Sequence, residues 1–212
     1  MPDCALLHHA EPQVLGLREQ LRQATRTEHD QLESALDLMR PDFSRAEYGE
    51  LLAKYHGFYL PFEAFLKEEA DSHSSVVQFY SAGPGRWKLP WLQDDLRALD
   101  YSDAARHYLI SQTCLHSLFP SASCLLGALY VIEGSMLGGM VLSRHFSRTL
   151  GLRPESGLRF FSGYGASAKA YWQALLQLLE NWPQHERRDE VVLGAQRMFA
   201  LLQRQLLQPG KR

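Results

Sequence analysis

Cysteine is scarce in this 212-residue chain: Cys4, Cys114 and Cys124 are three in number and form no C-x-x-C pair. That speaks against a disulfide framework or a thiolate zinc site and fits a reducing cytoplasm. Net charge is nearly absent too. Lys plus Arg number 22 against 24 Asp plus Glu, a balance of −2, too even for a chain whose task is to neutralise phosphates, so no nucleic-acid partner is expected. The opening residues carry no basic stretch followed by an apolar run and a small-residue cleavage site, so no export signal is expected. There is no G-x-G-x-x-G or P-loop to hold a nucleotide, no Asn-Gly hairpin and no sustained alternation of apolar and polar residues. From His107 to Ile132 there is no Asp, Glu, Lys or Arg, and that length approaches a membrane span. Pro120, His107, His116, Gln112 and several serines interrupt it and Glu133 follows at once, so we read a buried helix and expect no membrane.

What is present is ordinary globular composition, 45% hydrophobic and 22% charged. One helical domain over residues 14–207 is expected, with a flexible tail at 1–13 holding His8 and His9 and a short tail at 208–212. Apolar residues recur at helical spacing throughout, so the fold class is all-α, a single bundle. Leu17, Leu21, Ala24, Leu32, Leu36 and Met39 mark one first helix that stops before Pro41. Asp42 or Ser44, the latter with Glu47 three residues later as a capping box, opens a second helix that bends at Pro61. Residues 72–90, with Gly83, Pro84, Gly85 and Pro90, read as a long connection, with Trp87, Lys88 and Trp91 belonging to it and packing on the bundle. Further helices are predicted from Trp91 to Leu99, from a Ser102–Asp103 cap to about Ser117, and, restarting at Ser121 or Ser123, through Ala128 to Phe146. A loop from Glu155 to Ser167 precedes two closing helices, Ala168 to Asn181 and about Glu186 to Leu207.

Two patterns bear on chemistry. Arg22, Arg26, His29 and Glu33 follow at offsets of four, three and four, which puts them in one column on or beside the apolar stripe. An inward imidazole can bind a metal through one nitrogen while a carboxylate one turn later orients the other, with arginines at the rim for acidic ligand groups. The same spacing also suits a hydrogen-bonded core histidine and surface ion pairs. In YVIEGSMLGGMVL, residues 130–142, Gly134, Gly138 and Gly139 interrupt a strongly helical pattern at a cost of up to ~1 kcal/mol each. Gly134 and Gly138 share a face, and Gly127 one heptad earlier extends it. Something approaches the backbone there, either a neighbouring helix or a flat ligand. An inward histidine opposite a glycine floor suits a planar macrocycle such as haem, which also wants aromatic walls and a basic rim. Tyr55, Phe58, Tyr59, Phe62, Phe146 and Phe199 are candidate walls or plain core, and His56 and His145 are read as surface or satisfied interior residues.

Four segments in order, ATRTEHDQLE (24–33), YHGFYLPFE (55–63), RWKLPWLQDDLRALD (86–100) and LGALYVIEGSMLGG (126–139), resemble the haem oxygenase family in its bacterial biliverdin-forming branch. The likeness implies a helical fold with haem between the first helix and the glycine-rich helix. His29 matches the proximal iron ligand and Glu33 the carboxylate that orients it. Arg22 and Arg26 match basic positions near the propionates, with Lys169 from a late helix reaching the same edge, while Gly134, Ser135, Gly138 and Gly139 match the distal catalytic segment. Two positions depart from the pattern. Ser135 stands where animal members have an aspartate that holds the catalytic waters, and Gln173 stands where a second basic residue is expected, which leaves the biliverdin isomer open.

The implied reaction cleaves haem, at once cofactor and substrate, to biliverdin, carbon monoxide and ferrous iron with O2 and a separate ferredoxin- or reductase-type electron donor. A neutral histidine ligand gives little push toward splitting the oxygen–oxygen bond, and a distal wall of backbone, hydroxyl and water supplies no strong acid to do so. The alternative on the same scaffold is haem binding or trafficking without turnover. A diiron site would want Glu-x-x-His spacing, which the sequence lacks.

Overall fold

A computed structural model of the chain describes residues 15–70, 75–83, 85–101, 108–183 and 187–209. The expected N-terminal tail with Cys4, His8 and His9, the Ser102–Asp103 cap and residues 210–212 lie outside the described residues. Among the described residues there is no strand, and the class is all-α as the apolar spacing requires.

The first helix differs from the single element expected. It is two: α1 (Leu17–Ala24) and α2 (Arg26–Leu36), separated by Thr25 at φ −116°, ψ 2°. The buried Thr25 hydroxyl donates to the Leu21 carbonyl at 2.8 Å, a back-bond that competes with regular helical pairing. Helical pairing resumes at once, since His29 N donates to Thr25 O at 3.0 Å. α2 ends at Leu36, short of Met39, because Asp37 takes the left-handed conformation at φ 41°. The second expected helix is α3 (Arg45–Glu69), opened by the Ser44–Glu47 capping box and continuous through Pro61.

Residues 72–90 are not a plain connection, for α4 (Ser75–Ala82) buries Val76, Val77 and Tyr80. Eight residues are too short a stretch for their periodicity to announce a helix beside the Gly and Pro that follow. α5 (Leu89–Ala98) and α6 (Gln112–Leu118) lead to α7 (Ala122–Leu150), which Ser121 caps by accepting from Cys124 N at 3.2 Å and Gly151 ends at φ 67°. The expected 155–167 loop contains a short helix, α8 (Arg159–Ser162), between two single turns. α9 (Ala168–Glu180) and α10 (Arg188–Leu206) close the chain.

α7 is long and apolar enough to cross a membrane by length and composition, but more than half of its most apolar window is buried inside the protein. It packs mainly along α10. The two backbones touch: a Cβ on Gly127 would lie 1.8 Å from the Val191 carbonyl oxygen, and one on Gly194 would lie 1.8 Å from that of Cys124. Gly127 therefore does not extend the bare surface of Gly134 and Gly138. One heptad carries the helix from a backbone crossing to a different neighbourhood. His145 corrects another expectation, being buried with neither ring nitrogen partnered among the described residues, its ring set edge-on to Phe146 at 5.5 Å.

Candidate functional site

α2 is amphipathic yet buries none of its residues. Its apolar Leu32 and Leu36 are only partly covered, and α10 supports its start through Gln196 and Gln203, which donate to the carbonyls of Ala24 and Glu28 at 3.3 Å each. The face it presents looks onto a cavity of about 880 Å³, the scale of a large cofactor site. Opposite stands α7, contributing Tyr130, Gly134, Ser135, Gly138 and Gly139.

The column Arg22, Arg26, His29 and Glu33 lines this one cavity despite the break at Thr25. The His29 side chain is 54% exposed, with Nδ1 3.6 Å from Asp30 and 3.7 Å from Glu33. Those carboxylates face Nδ1 and leave Nε2 as the ring's free donor atom. Phe199 meets the imidazole edge-on at 6.1 Å. Arg22, 62% exposed, donates to Glu19 at 2.7 and 2.9 Å, and Arg26, 75% exposed, lies 3.9 Å from Asp30. Both are exposed cations at a rim, held by weak surface pairs. Lys169 and Gln173 are exposed on α9 and lie outside the described lining residues.

On the α7 side the glycines separate by what they face. A Cβ on Gly138 would meet nothing within 4 Å, one on Gly134 would touch only Trp172 at 3.5 Å, and one on Gly139 would press the Phe161 carbonyl at 3.1 Å. The floor is thus open at Gly138, bounded at Gly134 and closed at Gly139. Ser135 donates its hydroxyl proton to Ile132 O at 2.8 Å, so toward the cavity its oxygen is an acceptor. Of the candidate aromatic walls, Tyr55, Tyr59 and Phe199 line the cavity, while Phe58, Phe62 and Phe146 are core.

Phe160 and Phe161 join that wall, Phe160 4.9 Å from the Tyr55 ring. They are placed by Asp95, a buried carboxylate of α5 that accepts from Arg159 N and Phe160 N at 2.7 Å each. Burial outweighs those bonds and lifts the Asp95 pKa from its ordinary 3.8 to about 6. A carboxyl raised by folding holds its proton in the native state where the unfolded chain has released it. Its contribution therefore falls as pH rises from about 4 to 6 and is lowest above that window. Asp95→Asn is expected to flatten this part of the stability–pH curve, as thermal melts of the ligand-free chain at pH 4.5 and 7 would reveal; an unchanged slope refutes it.

Sequence reasoning missed the charge cluster behind α7. Lys88, read as part of a connection packing on the bundle, and Arg86, given no role by the sequence, are buried, and both reach Glu133: Lys88 Nζ at 2.7 Å and Arg86 Nη1 at 3.0 Å. Tyr164 donates to the same carboxylate at 2.9 Å. Glu63 accepts from Lys88 N at 2.5 Å and Leu89 N at 3.2 Å, capping α5, and burial raises its pKa. The one available signal was Glu133 itself, a lone carboxylate ending a stretch without charge, which needs a buried partner.

The whole-chain comparisons agree with one another. The family model described as "Heme oxygenase" matches residues 15–208. The fold is similar to heme oxygenase 2 of Chlamydomonas reinhardtii, solved without heme (TM-score 0.74, 20% identity, 91% of this chain and 96% of that one). It is also similar to heme oxygenase-1 of the cyanobacterium Synechocystis in complex with heme (0.70, 18%, 91% of each) and to the heme oxygenase of Leptospira interrogans (0.68, 18%, 91% and 99%). No relative among curated protein sequences matches.

Proposed function

This chain belongs to the haem oxygenase family and is an enzyme of haem degradation, and from that premise we propose that haem lies between α2 and α7 with its iron on His29. One observation carries this reading. Among the described lining residues, the only imidazole and the only glycine with nothing within 4 Å of its Cβ position stand on opposite helices of a single cavity of about 880 Å³. The dimensions suit the ring, the aromatic and aliphatic walls suit its faces, and Arg22 and Arg26 suit its carboxylates. An amphipathic helix with no buried residue is what a large apolar ligand would complete.

Bound haem supplies the iron that activates O2 and the ring that is cut. The protein's share is positional. His29 offers Nε2 while the carboxylates of Glu33, and of Asp30 beside it, face Nδ1. Gly138 lets the ring approach the α7 backbone, and Tyr55, Tyr59, Phe160 and Phe161 exclude water from one wall. Ser135, with its proton committed to Ile132, accepts a hydrogen bond from ordered water and donates no strong acid to the oxygen pocket. Biliverdin, carbon monoxide and ferrous iron are the proposed products, with electrons from a separate ferredoxin or reductase in the cytoplasm and without a membrane.

Haem titration followed by reductant in air tests this. Loss of the haem band with growth of a bilin band supports cleavage, whereas a stable ferrous spectrum means carriage and no binding rejects the site. Amide exchange over residues 26–39 is expected to slow on haem binding as α2 gains a packed face. Replacing Arg22 and Arg26 together with Ala is expected to weaken haem about three- to tenfold, the scale of rim ion pairs, and to change the isomer ratio. Unchanged affinity and product remove both from the propionate edge.

A further inference from the structure

We propose that Glu133 is a positioning residue for haem cleavage: its buried ties to Arg86, Lys88 and Tyr164 fix the rotation of α7 about its own axis, and so the seating of the ring on Gly134 and Gly138. The proposal rests on the haem reading of the cleft. At 100° per residue Glu133 stands about 140° around the helix from Gly138, on the side away from the cavity. On the cavity side little holds the helix, because Gly138 meets nothing and Gly134 only the edge of Trp172. Three glycines within six residues also weaken its intrinsic helicity. The rotation must be set from behind.

The set there is directional, and only Arg86 Nε among its buried polar atoms lacks a partner. Lys88 Nζ spends its three protons on Glu133 at 2.7 Å, Tyr164 at 2.6 Å and Tyr80 at 3.3 Å. Tyr80 in turn donates to Arg86 O at 2.7 Å. The Arg86 guanidinium lies over the Phe79 ring at 4.2 Å and the Tyr171 ring at 4.9 Å while its Nη1 reaches Glu133. Tyr164 stacks on Tyr171 at 4.0 Å and an interplanar angle of 4°. Turning α7 by one residue would withdraw the carboxylate from two buried cations at once, a far larger penalty than sliding an apolar contact. The partners come from separate segments, residues 86–88 ahead of α5 and Tyr164 between α8 and α9, so the carboxylate triangulates the helix.

The test uses the full chain with Glu133→Gln and Tyr164→Phe, the second keeping the ring and removing a single donor in case the first fails to fold. A Leu115→Ala change, in the core of α6, serves as a destabilised control. In the haem-free chain both variants are expected to speed amide exchange over residues 130–140 by about tenfold or more with α10 much less affected. With haem, well below their melting midpoints, they are expected to shift the ferric spectrum and the biliverdin isomer ratio, which the control leaves alone. Wild-type spectrum and isomer ratio in both variants overturn the proposal, as does faster exchange spread equally over α7 and α10. Failure of the unaltered chain to bind haem overturns the premise and the proposal together, and that control separates the two.

Discussion

Replacing His29 with Ala is expected to leave the protein folded and to abolish its ferric haem spectrum. The two halves of that expectation have separate grounds. The side chain is 54% exposed and makes no hydrogen bond, only long contacts with Asp30 and Glu33 and an edge contact with Phe199, so its loss should move stability by about 0.5 kcal/mol or less. As the proposed iron ligand, it should cost turnover more than the roughly 10–100-fold typical of losing a group that merely orients a ligand. Glu33→Gln is the internal comparison. It should fall within that smaller range, and only modestly, because Asp30 lies at nearly the same distance from Nδ1. Added imidazole should restore part of the His29→Ala spectrum by entering the space the ring vacates. An unaltered spectrum in that variant transfers the ligand role elsewhere.

The gathering of Arg22, Arg26, His29 and Glu33 was legible from their offsets because a single non-helical residue at Thr25 kept their common direction. The break itself was not legible, since a threonine inside a helical pattern gives no sign that its hydroxyl has turned back to Leu21. Periodicity also says which residues share a face without saying what meets them. Gly127 and Gly134 are one heptad apart, yet one abuts the α10 backbone and the other a tryptophan at van der Waals distance. Lys88 shows the same limit. Its place in a connection that packs on the bundle does not say what its ammonium meets, and only the approach of Glu63, Glu133 and Tyr164 from elsewhere in the chain offsets the cost of its burial.

Two glycine substitutions on α7 should therefore have opposite effects. Gly127→Ala puts a methyl group 1.8 Å from the Val191 carbonyl and 2.7 Å from Ala195 N, both backbone atoms that no rotamer change can move. The α7–α10 crossing must open, and a cost of at least ~3 kcal/mol is expected, seen as a melting midpoint lower by about 6–12 °C or as a chain that does not fold. Gly138→Leu meets no atom within 4 Å at its Cβ and trades a poor helix former for a good one. The ligand-free chain should melt higher, by about 2–4 °C for a gain near 1 kcal/mol. The added side chain extends from the helix face that the ring is proposed to lie on, so haem affinity should drop by roughly two orders of magnitude or more, a steric exclusion without loss of fold. Stabilised protein that no longer takes up haem would mark Gly138 as ligand contact and Gly127 as packing. Wild-type haem affinity in Gly138→Leu would mean the ring does not rest on α7, and the proposed roles of Gly134 and Ser135 would fall with it.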